Sequence, residues 1–561
     1  MGGRLTILAA MLAGLAVVPA LTAGPKFYPD DPIARDPESR DASKAVPLDI
    51  ALFYEYTINL FVTERHKPSN TRALNVNTID EVPDSSWFTN RIGAAANLSA
   101  ELIARGPNVN RGPAPERWVI LREKTSGTSP GFTARDANGR AWFLQFDPPE
   151  YPGASTADVE IATKVFWALG YNQVETFITT FDPAKVTIDS QATIRRPSGE
   201  RTPYTREDMD IVLERAARSA DGTYRASAGR LLEGKVIGSF RYAGTRSDDP
   251  NDLVPHEHRR ELRALRVFGA WMNLVDLKAG NTLDALVEQD GRSIVKHYLQ
   301  DVGSSLGMAN DSGVWDLGWE YFYDGPATKR RFLSFGFSLS PWQTVPYKEY
   351  ASVGRFEGDA FDPTTWKPQT PTTAYLELRA DDAFWAAGKV MAFTDDLIRA
   401  AVHTGQFSDA AAENHLATVL MERRNKIGRT YLTAVNPIVN PRLDAAGQLT
   451  FDNAAVSAGF ADAPSAYRAA WSRFDNATGD TTHIGETRSA ATTMTAPANL
   501  PGAPDSFVEV DISAESSAHA SWQEPIRTYF RRTTSGWTLV GLERLPQTIA
   551  PAAGRETEAK R

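Results

Sequence analysis

From Arg117 onward, hydrophobic and polar positions alternate. The runs RWVILREK and GFTARDANGRAWFLQFD bracket two turns, TSGTSPG with Gly127 and Gly131 and the tight DANG turn, and predict three strands. The period then lengthens. In VEIATKVFWALG the residues Ile161, Val165 and Leu169 share one face, Ser155 and Asp158 have capping-box spacing, and Gly170 supplies a stop, so a helix is expected. ETFITTF reads as a fourth strand. Residues 205 to 219 predict a helix, and YRASAGRLLEGKVIGSFRY one or two strands. The clearest helical pattern is HEHRRELRALRVFGAWMNLV, with Leu262, Leu265, Met272 and Val275 on one face. Its arginines, Arg259, Arg260, Arg263 and Arg266, read as a solvated or salt-bridged face.

TLDALVEQDGRSIVKHYLQ follows as a hairpin turning at Asp290 and Gly291. Residues 304 to 375 are rich in Trp, Tyr, Phe, Gly and Pro and predict a long, packed, irregular segment. DDAFWAAGKVMAFTDDLIRAAVHTG and DAAAENHLATVLMERRNKIGRTYLTAV predict one helix each. Beyond Pro437 the texture turns to short strand-like runs with Thr, Ser, Asn and Gly.

Composition narrows the picture. The chain has 561 residues, enough for several domains with ample core, and its formal charge is −9. That balance argues against a general nucleic-acid binder, which needs a basic stripe to meet phosphates. Cysteine is absent, so no disulfide framework, thiol nucleophile or cysteine zinc site is expected. MGGRLTILAAMLAGLAVVPALTAG has one early positive charge, a short apolar run and small residues near Val18 to Ala20, and reads as an export signal. The alternative is an uncleaved anchor. No other run is apolar enough to span a membrane. A periplasmic or extracellular location is therefore expected.

The stretch NLVDLKAGNTLDALVEQDGRSIVKHYLQDVG, residues 273 to 303, carries the candidate chemistry. Phosphoryl transfer needs a divalent cation on the phosphates, a group to orient the attacking hydroxyl, and cations to offset developing charge. Magnesium takes hard oxygen ligands and usually only one or two from the protein. Asn281 and Asp301 have that chemistry, and a hairpin between them would bring them together at its open end. Asp276 can face an acceptor hydroxyl and Lys278 a transferred phosphate. The plain alternative is one more helix, turn and strand.

DLKAGN resembles the catalytic loop of protein kinases, and DVG resembles their Asp-Phe-Gly motif. The preceding strand–helix–strand block resembles a kinase N-lobe, and the match spans roughly residues 115 to 435 in element order, closest to atypical members of the superfamily. The resemblance implies an α+β fold with a two-lobed, protein-kinase-like core. Signal peptide 1–20 and an N-terminal extension 21–114 precede an N-lobe-like region 115–204 and a C-lobe-like region 205–435. A β-rich C-terminal domain 436–547 and a disordered tail 548–561 complete the expected organisation. It further implies a phosphate-covering turn at Gly127 to Gly131, a helix at 156–169 bearing Glu160, and ATP or another nucleotide with Mg as cofactors. Two departures stand out. Kinases place a lysine where this chain has Gln145, and Leu274-Val275 replaces the His-Arg before the catalytic Asp. Lys124, on the first strand, can supply the missing cation from another direction.

Three functions are therefore carried forward. The first is an exported atypical kinase acting on a hydroxyl-bearing acceptor. The second is an inactive pseudokinase that binds an envelope protein or a glycan. The third is a carbohydrate-binding or carbohydrate-active protein using WDLGWEYFYDG, where Asp316, Glu320 and Asp324 could form a glycosidase pair. A packed aromatic core is the preferred reading of that segment. His256 and His258 at i,i+2 would point apart on a helix and chelate poorly. No Gly-x-Ser-x-Gly, His-Glu-x-x-His or Rossmann glycine pattern occurs.

Overall fold

The computed structural model describes residues 24–48, 55, 59, 61, 65–93, 98–124, 129–232, 234–308, 320–339 and 344–545. The expected export signal, Gly127, Asp316 and the C-terminal tail lie outside the described residues.

The alternation after Arg117 does form strands. β1 (Trp118–Glu123), β2 (Gly131–Arg135) and β3 (Ala141–Phe146) are successive antiparallel neighbours. They join β4 (Thr176–Phe181), β5 (Val186–Ile188) and β8 (Tyr224–Arg230) in a six-stranded sheet of order β4-β8-β3-β2-β1-β5. β6 (Thr193–Arg195) and β7 (Arg201–Pro203) form a small hairpin beside it. Alternate residues Trp118 and Ile120, Trp142, Leu144 and Phe146 point into one apolar cluster, which the period-two pattern requires of a half-buried sheet. A short helix, α1 (Ala100–Arg105), precedes the sheet. The long helix α2 (Ala154–Leu169) packs against β3, β4 and β8, and α3 (Arg206–Leu213) follows β7 behind a Thr205–Asp208 capping box.

The second half of the core is helical around one small sheet. α4 (Arg260–Met272) packs on α6 (Ala380–Met391), which packs on α8 (Ala410–Leu432). α5 (Gly325–Leu333) lies in the segment between the hairpin and α6. β9 (Lys235–Gly238), β10 (Thr282–Gln289) and β11 (Arg292–Leu299) form a sheet of order β11-β10-β9. The turn between β10 and β11 uses Asp290 at φ 51° and Gly291 at φ 75°, as a two-residue hairpin connection demands. The stretch read as a single helix from Asp381 to His403 is two, α6 and α7 (Asp395–His403). Thr394 caps α7 by accepting from the Leu397 N–H, and Asp395 and Asp396 suit the positive end of a new helix.

Beyond Pro437 lie two antiparallel sheets. One pairs β12 (Ile438–Leu443), β13 (Gln448–Asn453) and β16 (Thr493–Thr495). The other has β14 (Ala466–Phe474), β15 (Thr481–Ser489), β17 (Phe507–Glu515), β18 (Ile526–Arg532) and β19 (Trp537–Glu543) in the order β15-β14-β17-β18-β19. The apolar core runs without a break from α4, α6 and α8 into these sheets. Among the described residues no helix is long and apolar enough to cross a membrane.

Of the two alternatives that the sequence left open for the arginines of α4, solvated or salt-bridged, the structure shows the second. Arg260 and Arg263 are 0% exposed, and Arg259 4%, so this face is not solvated. Arg260 donates to Asp80 Oδ1 at 3.0 Å and to Asp382 Oδ1 at 2.9 Å, while Arg263 reaches Asp382 Oδ2 at 3.0 Å. The helix is apolar on one face and ion-paired, out of water, on the other. Breaking one member leaves its partners charged and unmatched. Arg260→Ala should therefore lower stability by about 3–5 kcal/mol, read as a reduced urea midpoint. Arg266→Ala, on the half-buried side, should cost clearly less.

Candidate functional site

Helix α4 ends where Asn273 turns left-handed, at φ 55°. Its side-chain oxygen accepts from Trp366 Nε1 at 2.9 Å, which locks the exit direction of the chain. The next residues run extended. Leu274, Val275 and Leu277 are buried anchors, and Asp276 and Lys278 on either side of Leu277 remain partly accessible. Backbone bonds from Val275 N–H to the Ser304 carbonyl and from Gln369 N–H to the Val275 carbonyl hold the strap on both sides.

Lys278 Nζ contacts Asp276 Oδ2 at 2.5 Å, while Asp276 Oδ1 is buried with no hydrogen-bond partner among the described residues. A 3-10 turn, Ala279–Asn281, closes the loop. Asn281 Nδ2 donates to the Asp276 carbonyl at 2.8 Å, so the amide is oriented and Oδ1 is the atom left for an external partner. The Gln300 N–H donates to the Asn281 carbonyl at 3.1 Å, one step beyond the Thr282–Leu299 pair that ends the hairpin ladder. The open end of the hairpin thus places Asn281 beside the chain that continues into Asp301.

Asp301 adopts a left-handed conformation, at φ 50°, between the end of β11 and buried Val302. Burial raises its carboxyl pKa; Lys124 lowers it, Asp276 raises it and Lys278 lowers it. Asp301 is nevertheless accessible to solvent. Both properties hold for a group recessed between neighbouring elements but open on one side. The four charges that meet here come from the end of β1, from the loop after α4 and from the end of β11.

Helix α2 closes the back of this group. A Cβ on Gly303 would meet Val159 Cγ2 at 2.5 Å, so only glycine lets the helix approach so closely. Asp158 Oδ2 accepts from the Ser305 N–H at 3.0 Å, and its Oδ1 is buried without a partner among the described residues. Burial holds the Asp158 carboxyl well above the usual carboxylate range; the Ser305 bond opposes this and the negative charge of Asp301 adds to it. Ser155 is not the cap that its spacing suggests. The helix begins behind Gly153 in the left-handed conformation, and Ser155 and Asp158 are both interior and buried.

On the sheet side, Lys124 Nζ donates to Gln145 Oε1 at 3.4 Å, and Gln145 Nε2 lies 3.5 Å from Ser155 Oγ. Gly131 pairs with Gln145 across β2 and β3, and a Cβ there would lie 2.2 Å from the Leu144 carbonyl oxygen. Its requirement for glycine is this backbone approach.

No protein-family model matches the chain, and no curated protein matches it. Among solved structures, the crystal structure of the Golgi casein kinase aligns over 72% of this chain and 97% of its own, at 12% identity and a TM-score of 0.28. The structure of the Golgi casein kinase with Mn/ADP bound aligns over 71% and 96%, with the same identity and TM-score. At that TM-score neither alignment carries an argument, and the site is read from its own geometry.

The structure therefore brings together Asp276, Lys278, Asn281, Asp301, Lys124 and Gln145. Glu160 stands apart. It pairs with Lys164 Nζ at 2.7 Å and accepts from Thr176 Oγ1 at 2.7 Å, with both charged residues buried rather than on the surface. Two residues along a helix is a rotation of about 200°, so Glu160 and Asp158 face opposite ways. Two residues escaped the sequence reading. Asp158 lies in register with the apolar stripe of Ile161 and Val165, and that phase was the available signal of a buried carboxylate. Glu55, from the N-terminal extension, accepts from the Ala279 N–H and is influenced by Lys278 and Arg241; burial nevertheless raises its carboxyl pKa overall. Nothing in its local pattern pointed to this loop.

The other candidates are structural. Glu320 pairs with Arg331, while Asp324 caps α5 and pairs with Lys367 at 2.7 Å. Residues 315–319 of the aromatic segment lie outside the described residues; of the rest, Tyr321 is half-buried and Phe322 and Tyr323 stand exposed. His256 sits in a 3-10 turn bonded to Asp252, and among the described residues no three His, Asp or Glu side chains converge as a metal site.

A raised folded-state carboxyl pKa means that the folded chain binds more protons than the unfolded chain. The stability this gives is present at low pH and is lost as pH rises through the raised folded value. Asp158→Asn removes that loss. Its thermal midpoint relative to wild type should therefore rise as pH increases above the ordinary carboxylate range, and a pH-independent difference would contradict the assignment.

Proposed function

We propose that this protein is an atypical kinase-like phosphotransferase, two-lobed and exported to a periplasmic or extracellular space, moving a nucleotide's terminal phosphate to a hydroxyl. One observation carries the reading. The hairpin register sets Asn281 beside the approach to Asp301, and Asp301 shares an electrostatic neighbourhood with Asp276, Lys278 and Lys124.

The residues fit a magnesium ion by chemistry. Asn281 Oδ1, the Asp301 carboxylate and the orphaned Asp158 Oδ1 are hard oxygen donors from three segments, and magnesium needs only one or two of them. When bound, the ion would neutralise the phosphates and offset charge developing on the transferred group. Asp276 Oδ1, buried and unpartnered, can accept the hydroxyl hydrogen of the acceptor and orient its oxygen. Lys278, beside it, offers positive charge to the phosphate as it arrives. Lys124 supplies the cation that Gln145 cannot, and Gln145 holds it from the neighbouring strand.

The neutral Gln145 also supports the second reading, a pseudokinase scaffold that binds an envelope protein or glycan. Nucleotide binding and turnover separate the two. With ATP and Mg, wild type should show a thermal shift that Asp301→Ala loses. Lys124→Ala should weaken nucleotide binding about tenfold or more while Lys185→Ala does not; tenfold corresponds to about 1.4 kcal/mol. Asp276→Asn should retain nucleotide binding and lose about 10²–10⁴-fold in phosphate release or transfer. No shift in wild type or in Gln145→Lys would leave the scaffold reading standing and remove the enzymatic one.

A further inference from the structure

A cavity of about 320 Å³ opens on the far side of α2, between the C-terminal end of that helix, the approach to β4, the end of β8 and the outer part of β11. Arg91 lines it. Its guanidinium packs 4.8 Å from the Trp167 ring centre, and Nη1 donates to the carbonyls of Trp167 at 2.7 Å and Tyr171 at 3.1 Å. Nε and Nη2 donate to none of the described residues. Lys296, from β11, lines the same cavity, with Nζ 5.7 Å from the Tyr298 ring centre. No carboxylate of the described residues pairs with it, and burial together with the positive charge of Arg91 lowers its pKa. Gln173 also lines the cavity. It is 7% exposed, and its Nε2 has no hydrogen-bond partner among the described residues.

The acids nearby are committed. Glu175 is held by Arg230 at 3.0 Å and by the N–H groups of Val109 and Asn110. Asp84, whose charge Arg91 does feel, accepts from the Asn90 N–H at 2.7 Å. Two half-buried cations and an unsatisfied amide thus line one cavity, and the acid that also lines it, Glu175, is taken by Arg230 and two backbone N–H groups. Like charges held together out of water are unfavourable, and a buried unpaired donor adds to the cost; one oxyanion relieves both. The cavity walls include the Tyr298 ring, Val174 and Leu231, which suit an apolar body behind the anionic group.

We propose that this cavity binds a small organic oxyanion, a phosphate or carboxylate carried on an apolar body, with Arg91 and Lys296 as charge partners and Gln173 Nε2 as a donor. The site is separate from the group around Asp301 and does not depend on the kinase-like reading. Calorimetric titration of the full chain with phenyl phosphate and with benzoate, against sodium chloride at matched ionic strength, tests it. At least one probe should bind with one-to-one stoichiometry. Lys296→Gln should weaken that binding tenfold or more, and Asp301→Asn should leave it unchanged. Binding of phenyl phosphate alone assigns a phosphate group, of benzoate alone a carboxylate, and of both a general oxyanion site. Lys296→Gln removes an unmatched charge, so its thermal midpoint without ligand should equal or exceed that of wild type. It therefore decides the matter even if Arg91→Gln, which loses two carbonyl contacts, fails to fold. No binding beyond the salt control, or equal affinity in Lys296→Gln, would overturn the proposal.

Discussion

The register of one hairpin governs the candidate site. β10 and β11 pair from Gln289–Arg292 at the turn to Thr282–Leu299 at the open end. Side chains alternate across a sheet, so a slip of one residue would send every buried side chain to the wrong face. The ladder also carries its own lock. Asp284 lies directly opposite His297, their side chains meet at 2.7 Å, and Arg246 binds the other Asp284 oxygen at 2.9 Å, all out of water. Trp87 stacks on His297 with ring centres 3.5 Å apart. This buried polar cluster ties register to charge as well as to apolar burial.

What could be read from the sequence followed from local rules. Period-two alternation marked β1, β2 and β3, the Asp-Gly turn marked the hairpin, and the apolar stripe marked α2 and α4. The order of the loop, hairpin and following turn was likewise visible, because Asp276, Asn281 and Asp301 lie close to elements with strong patterns. Other features depend on residues distant in sequence. Whether the arginines of α4 were solvated or salt-bridged stayed open because their partners, Asp80 and Asp382, lie more than a hundred positions away on either side. Glu160 looked suited to the site because spacing alone cannot assign a helix face without the tertiary partner, and Thr176 and Lys164 claim it first. The break before α7 was missed because one capping threonine outweighs continuous apolar periodicity.

The N-terminal extension acts as a tie across the molecule. Asp80 completes the buried arginine cluster, Trp87 covers the hairpin histidine, and Glu55 meets the loop beside Lys278. Farther toward the N-terminus, Phe27 packs among Phe474, Phe507 and Tyr529 of the C-terminal sheet. The positions of these segments are set by what they cover.

Helix α2 is enclosed on nearly every side. Asp158 and Val159 press on the turn after β11, while Glu160 and Lys164 form a dry ion pair toward β4. A lever needs a free flank into which to swing, and this one has none: rotation outward would carry the Lys164 ammonium and its counter-charge into a gap without matching groups. The helix is built as a fixed wall behind the turn that follows β11.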